Sequence, residues 1–471
     1  MSKYETVIGI EVHVNLATKT KTFCSCQNEY GATPNTNVCP VCMGLTGSIP
    51  SLNRKAVEEV IKAGLLLGCD INNMSTFERK HFFSPDQSKG YQITQLTSPL
   101  CYWGKITLDS GKDIRLSRVQ LEEDSAKIIY DDKLGKSLID YNRSGLPILE
   151  IVSRPDMSSV EEVFEFVDKL RDILVFADIS RCRMELGEMR FDVNISLRSS
   201  GSKKDGARVE LKNITSFKSL ALAVDYEERR QSEILDSGKV VDMETRLWDE
   251  GSAKTYPMRV KEKESDYRHF PDADILTLKL TERDISILRD SIPESWEDRL
   301  KRYAKLRLGT DDISFLMSDK MIADYFDEVM SFTKQPKEII KWIRIELLRL
   351  YRASGKSGFE NIISAENLAE IIDLYINNEI TRFNAKTLLE KIVESGKSAM
   401  YLLKELDIYG FASDEEITEA IDSIIEMIPH IVDDYKSSPE VINYFVGEIM
   451  RATRGRADAD RAKVLIEKKL K

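Results

Sequence analysis

Ile8-Gly9-Ile10-Glu11-Val12-His13-Val14-Asn15-Leu16 places apolar side chains on even positions and Glu11, His13 and Asn15 on odd ones. Successive strand side chains point to opposite faces, so a carboxylate, an imidazole and an amide share one side. A half-buried strand with a wet face has the same pattern. The chain holds only four histidines, which singles out one beside a carboxylate. Cys24-Ser25-Cys26 and Cys39-Pro40-Val41-Cys42 follow, with twelve residues between the pairs. Close thiolates on each of two turns can close a tetrahedron around zinc, and Gly31, Pro34, Asn35 and Pro40 supply turn chemistry. Structural Zn²⁺ on Cys24, Cys26, Cys39 and Cys42 is the expectation, with buried free cysteines as the alternative. Four cysteines leave no open position for a catalytic zinc.

Working outward, other strands repeat the polar-face pattern. In Phe191-Asp192-Val193-Asn194-Ile195-Ser196-Leu197, Asp192, Asn194 and Ser196 share a face with Arg190. Arg208, Glu210 and Lys212 share another around Val209 and Leu211. Leu121-Glu122-Glu123-Asp124 adds three acids, but alternation loses phase near Ser117, which leaves their facing open. One polar face alone is a solvated surface. Several such faces suggest the concave wall of a sheet. Carboxylates gathered in a cleft repel and must be protonated or bridged by a cation. Oxygen ligands near Lys and Arg suit magnesium and phosphate.

The chain has 471 residues, room for roughly two to four domains. A net charge of −11 argues against a general polyanion binder, yet Arg451 to Lys471 holds eight Lys/Arg against three Asp/Glu. No basic segment leads into an apolar core at the N-terminus, and no apolar run approaches the roughly 20 residues of a membrane span. Seven cysteines, four of them clustered, then suit a cytoplasmic protein that binds metal better than one with disulfides. Short alternating runs dominate to about residue 290, with a helix at Glu161–Val175 opened by a Ser159/Glu162 capping box. After Pro293 the pattern turns helical, at 338–351, 365–378 and 386–394. A break falls at Tyr409-Gly410-Phe411, then a Ser413/Glu416 capping box, then Ser438-Pro439-Glu440 with proline at a helix start. The expected fold is α+β. A mixed, cradle-like domain on a mainly antiparallel sheet spans 1–293, an all-α domain 294–408, and a small all-α tail 409–471.

Phosphate motifs are mostly absent. Gly-Lys-Ser occurs at 135–137, 355–357 and 396–398, each without the glycine that a Walker loop needs. The stretch Arg79 to Gln92, rich in cations, hydroxyls and aromatics, suits phosphates or a nucleotide as well as it suits a plain surface loop. No nucleophile elbow is present, nor the Ser/Gly tract of an amidase.

Gly9 to Val14, Pro34-Asn35-Thr36 before Val38 to Cys42, Lys89-Gly90-Tyr91-Gln92-Ile93, Leu121 to Asp124, Asp140-Tyr141-Asn142-Arg143 and Leu149 to Met157 appear in that order. Lys212-Asn213-Ile214, Glu244-Thr245-Arg246 and Asp266-Tyr267-Arg268 follow. Together these resemble the B subunit of the glutamyl/aspartyl-tRNA amidotransferases, end to end. The resemblance implies that ATP phosphorylates the side-chain carboxylate of Glu-tRNA(Gln) or Asp-tRNA(Asn), and that ammonia then displaces phosphate. It implies Mg²⁺, an amidase (A) subunit that supplies ammonia, a small C subunit, and tRNA contact by the tail. It places Glu11, His13, Glu123, Asp192 and Glu210 around the metal and Lys80 and Lys89 at the phosphates as catalytic cations. Arg190 and Asn194, on the Asp192 face, are the expected ATP contacts. Leu186 stands where the family often has a second acid after Glu185. The alternative class is a non-catalytic zinc-containing RNA-binding protein.

Overall fold

The computed structural model describes residues 3–81, 83–131, 135–202, 204–214, 216–260, 268–356, 358–432, 435 and 441–470. Chain contacts divide it into two units, Met1–Trp296 and Glu297–Lys471.

The first unit is organised by the strand that opens the sequence. Tyr4–Asn15 lies mid-sheet, antiparallel to Pro147–Ser153 on one side and to Met189–Ser199 on the other. Asp113–Glu123 adds beyond Pro147–Ser153, and Val209–Ile214 beyond Met189–Ser199. All these pairs are antiparallel. Val209–Ile214 and Glu244–Asp249 pair in parallel, and the helix Phe217–Asp236 makes the crossover that parallel strands require. Among the described residues the sheet has ten strands and is mainly antiparallel, as expected.

Its two faces differ as the alternation dictates. Ile10, Val12, Val14, Leu149, Ile151, Val193 and Ile195 are essentially inaccessible and share one core with the helices Arg54–Leu66, Val160–Phe176 and Phe217–Asp236. Each such side chain contributes about 1.5–3 kcal/mol through burial. The opposite face carries the polar residues, which line two cavities.

The lost phase near Ser117 has a cause. Val152 pairs with Arg118 while Ser153 pairs with Leu116, so Ser117 is the extra residue of a bulge, and its Oγ donates to the Val152 carbonyl at 3.0 Å. Past the bulge Arg118, Gln120 and Glu122 fall on the polar face.

Helix ends follow the capping chemistry with one difference. Ser159 caps Val160–Phe176 by accepting from the Glu162 amide, but the Glu162 carboxylate turns to the Ser158 amide and to Lys112. Only half of that expected box forms. Thr281 and Asp284 form a full box at Glu282–Asp290, so helix begins before Pro293 and still inside the first unit. In the second unit, 338–351 is helical throughout but widens to a π turn at Trp342–Leu347. Ala365–Ile376 stops two residues short of the expected 365–378, and Arg382–Ser395 begins about a turn before the expected 386–394, while the Ser413/Glu416 box at Asp414–Met427 is complete, as expected. The expected start at Ser438-Pro439-Glu440 lies outside the described residues. Asp414–Met427, Ile442–Ala452 and Ala459–Leu470 share a small core of their own around Ile421, Phe445 and Ile449.

Candidate active site and metal centres

Register places the acids. Glu11 sits opposite Asp192 and Val152, and His13 opposite Arg190 and Glu150. Glu11, His13 and Glu150 each bring a ligand atom within 4.8 Å of the others. His13 Nε2 lies 3.5 Å from Glu11 Oε1. Glu150 is buried, accepts from Gln120 Nε2, and lies 3.5 Å from Arg118. Burial, then the neighbouring Glu122 and Glu11 carboxylates, push its pKa well above the usual carboxylate range. Burial also penalises charged Glu11. His13, the shared hydrogen bond with Glu150, Lys212 and Arg118 outweigh it and hold the Glu11 carboxyl at about 2. One acid of the pair is thus ionised and the other protonated, because two adjacent buried carboxylates cannot both carry charge.

One strand further, Lys212 pairs with Asp192 and lies 3.2 Å from Glu210. Burial works against its charge, but the two carboxylates raise its pKa above the ordinary lysine value. Glu210 also accepts from Thr245 Oγ1 at 2.8 Å. Two cavities of about 670 and 570 Å³ open on this face, and both are lined by Glu122 and Lys212. The larger holds His13, Glu123, Arg190 and Asp192; the smaller holds Glu11, Lys80, Glu150, Asn194 and Glu210. Among the described residues, the buried polar atoms on their walls that lack a hydrogen-bond partner include Arg118 Nε, Gln120 Oε1, Arg190 Nε and Asn194 Oδ1. Buried polar atoms are normally satisfied, so such a concentration suits a polar ligand.

Asp124 closes one wall. It accepts from Arg143 at 2.7 Å and Arg190 at 3.0 Å. These two cations outweigh burial and lower its pKa.

The cysteines converge. One sulfur from each of Cys24, Cys26, Cys39 and Cys42 lies within 4.8 Å of the others. Zinc with Zn–S near 2.3 Å separates its sulfurs by roughly 3.8 Å, so the set fits a closed tetrahedron. The Cys39 amide donates to Cys42 Sγ at 3.1 Å, and the buried Lys21 ammonium lies 3.7 Å away. The Cys24 thiol, the Cys39 amide and Lys21 outweigh burial and bring the Cys42 thiol down to about 4. Cys24 is pushed up in return, chiefly by its hydrogen bond to Cys42, and burial raises Cys26 to about 11. Without a cation the cluster favours one thiolate; four need a dication to balance them.

The expected residues divide by place. Glu11 and His13 come together, with Glu150 as a third member that alternation did not single out. Ile148 and Val152 flank Glu150, so its strand reads as plain core; its signal was a lone acid in a buried run. Asp192 and Glu210 meet through Lys212. Arg190 and Asn194 line the cavities, as does Lys80. Glu123 stands apart from the Glu11–His13–Glu150 group: it accepts from the Ile93 amide at 2.9 Å and pairs with Lys89. Its neighbour Glu122 accepts from Thr94, Gln92 and Gln120.

The family described as the GatB/GatE catalytic domain matches residues 6–286, the part that carries this cleft. The chain belongs to the GatB family. A second GatB domain, with its own description, matches residues 324–470. Among curated proteins, the B subunit of the aspartyl/glutamyl-tRNA(Asn/Gln) amidotransferase of Persephonella marina is 40% identical, covering 100% of both chains. A counterpart in Clostridium acetobutylicum, the second of that name there, is 40% identical over 99% of each chain. That of Thermoanaerobacter pseudethanolicus is 38% identical over 99% of each. A GatB catalytic domain over the cleft leaves the alternative of a non-catalytic RNA-binding protein without support. Among the described residues, no helix is long and apolar enough to cross a membrane.

Proposed function

We propose that this chain is the synthetic subunit of a tRNA-dependent amidotransferase, converting Glu-tRNA(Gln), Asp-tRNA(Asn) or both to the amide. The observation that carries this reading is the polar sheet face, where Glu11, His13 and Glu150 converge next to Lys212 and unsatisfied amide and guanidinium atoms. A carboxylate oxygen is a poor leaving group. Transfer of the ATP γ-phosphoryl breaks its bond to the β-phosphate oxygen and forms one to the substrate carboxylate, releasing ADP. The ammonia lone pair then attacks the acyl carbon, and the C–O bond breaks to release inorganic phosphate. Positioning and charge neutralisation dominate such chemistry.

Glu11, His13 and Glu150 would hold a divalent cation, Mg²⁺ by the family resemblance, whose charge would neutralise phosphate oxygens. Glu150 would give up its proton to take part. Lys212 bridges Asp192 and Glu210. Lys80, Arg190 and Asn194 face the cavities and are the proposed phosphate and nucleotide contacts; Lys89, on Glu123, is the second proposed catalytic lysine. Glu123, Asp192 and Glu210 remain proposed metal neighbours. Cys24, Cys26, Cys39 and Cys42 are the proposed zinc ligands. An amidase (A) subunit is proposed as the ammonia source, with a small C subunit, in the cytoplasm. Domain limits at 293/294 and 408/409, with a tRNA-binding tail, belong to the same proposal.

The assembled enzyme is assayed for ATP turnover with Glu-tRNA(Gln) and Asp-tRNA(Asn) in parallel. Turnover that depends on either tRNA is expected. Its absence with both defeats the reading.

A further inference from the structure

The cysteine cluster reaches the cleft through Lys89. Ser88 Oγ donates to the Cys42 carbonyl at 2.6 Å, and Ser144 Oγ donates to the same carbonyl at 3.2 Å. Gly44 has φ +65° and packs so closely that a Cβ there would lie 2.8 Å from Lys89 Cα and 3.0 Å from the Ser88 carbonyl oxygen. Phe23, buried and next to Cys24, sets its ring 5.4 Å from the Lys89 ammonium. The fully buried Lys21 donates to the Asn37 carbonyl at 3.0 Å and the Tyr141 carbonyl at 3.4 Å, tying the cluster to the turn that carries Ser144. Lys89 itself is only 10% exposed and ends on Glu123, which lines the larger cavity.

We infer that the four-cysteine knuckle is the positioning device for Lys89, with Ser88 and Gly44 as the residues that transmit its geometry. Four sulfurs on one zinc would fix the turn from Cys39 to Gly44. Turn amides then set its carbonyls: Met43 donates to Cys39 and Gly44 to Val41, each at 3.0 Å. That turn holds Ser88 by its hydroxyl and blocks Lys89 from retreating at Gly44. A free lysine side chain samples many rotamers, and this packing removes that freedom in advance. The inference rests on the proposed chemistry only for what Lys89 does, not for how it is held.

The full-length protein is compared with zinc, after zinc removal by a chelator, and as zinc-loaded Ser88→Ala, Ser88→Thr and Gly44→Ala variants. The rate at which an amine-selective reagent acylates Lys89 is read by peptide mass spectrometry, with the exposed Lys301 as internal reference. Zinc removal, Ser88→Ala and Gly44→Ala should each speed Lys89 acylation about fivefold or more, as a local opening does. Ser88→Thr should restore the wild-type rate. Zinc content should stay near one per chain in the Ser88 variants, separating lost positioning from lost metal. In the assembled enzyme, Ser88→Ala should lower kcat with KM for ATP unchanged. A Lys89 rate within about twofold of wild type in both zinc-free protein and Ser88→Ala overturns the inference. Absent tRNA-dependent turnover in the wild type would instead defeat the functional reading and leave the acylation result standing.

Discussion

Lys212 shows how one residue organises a site. It sits between Asp192 and Glu210, and its charge also stabilises ionised Glu11. Asp192→Ala or Glu210→Ala leaves Lys212 one acid, so folding should lose only about 1 kcal/mol. Turnover of ATP with charged tRNA should fall about 100-fold, the scale for losing a carboxylate that supports a catalytic cation from beside it. Equal turnover in both variants and wild type would show that the chemistry lies elsewhere. Glu150 makes the complementary case. Glu150→Gln keeps the shape of the protonated acid and its Gln120 neighbour, so the melting temperature of metal-free protein should hold. Its divalent-cation dependence should weaken, with the cation concentration for half-maximal ATP turnover rising about tenfold. An unchanged cation titration would remove Glu150 from the site. Glu11 and His13 were legible because a period-two pattern sets polar side chains against apolar ones. Glu150 was not, since its charge is suppressed by neighbours on strands far away in sequence.

The helix Val160–Phe176 carries a cost on its less buried side. Burial raises the Asp172 carboxyl to about 6, with Asp168 adding to the rise and Arg171 opposing it. The folded chain therefore binds a proton between about pH 4 and 6 that the unfolded chain has released, and stability falls as pH rises through that window. Partial exposure screens the effect, leaving about 1 kcal/mol. Asp172→Asn should raise the melting temperature at pH 7.5 and leave it unchanged at pH 4. A gain of the same size at both values would mean that the acid's charge is not the cause. The Ser159 cap was readable from sequence, but the turn of Glu162 toward Lys112 was not. Lys112 approaches from a turn distant in sequence and offers a charge-assisted bond that a local box cannot match.

Two expectations concern the chain as a whole. Alone, it should accept ammonium but not glutamine as nitrogen donor, because no amidase nucleophile tract is present. Glutamine-dependent amidation by the purified single chain would contradict that. The tail is the second. Its basic residues are largely paired within the second unit: Arg451 with Glu448, Arg454 with Asp407, Arg456 with Glu416, Arg461 with Asp414 and Lys469 with Asp422. Exposed pairs of this kind are worth about 0–1 kcal/mol, so phosphates can compete for the cations. Removing residues 409–471 should raise KM for charged tRNA and flatten the salt dependence of binding, while turnover at saturating tRNA survives. Identical affinity and salt slope in the truncated protein would reduce the tail to a solvated surface.

By itself the sequence determined the antiparallel α+β character, the helical second half, the three polar strand rows and the four cysteines with metal spacing. These follow from periodicity and local spacing, which need no partner to be read. Tertiary structure alone decided that Glu150 joins Glu11 and His13, and that Lys212 bridges Asp192 and Glu210. It also decided that Glu123 faces Lys89, and that the cysteine turn abuts that lysine. Each of these depends on strand register and loop contact between segments tens of residues apart. A one-residue slip would send every such side chain to the opposite face.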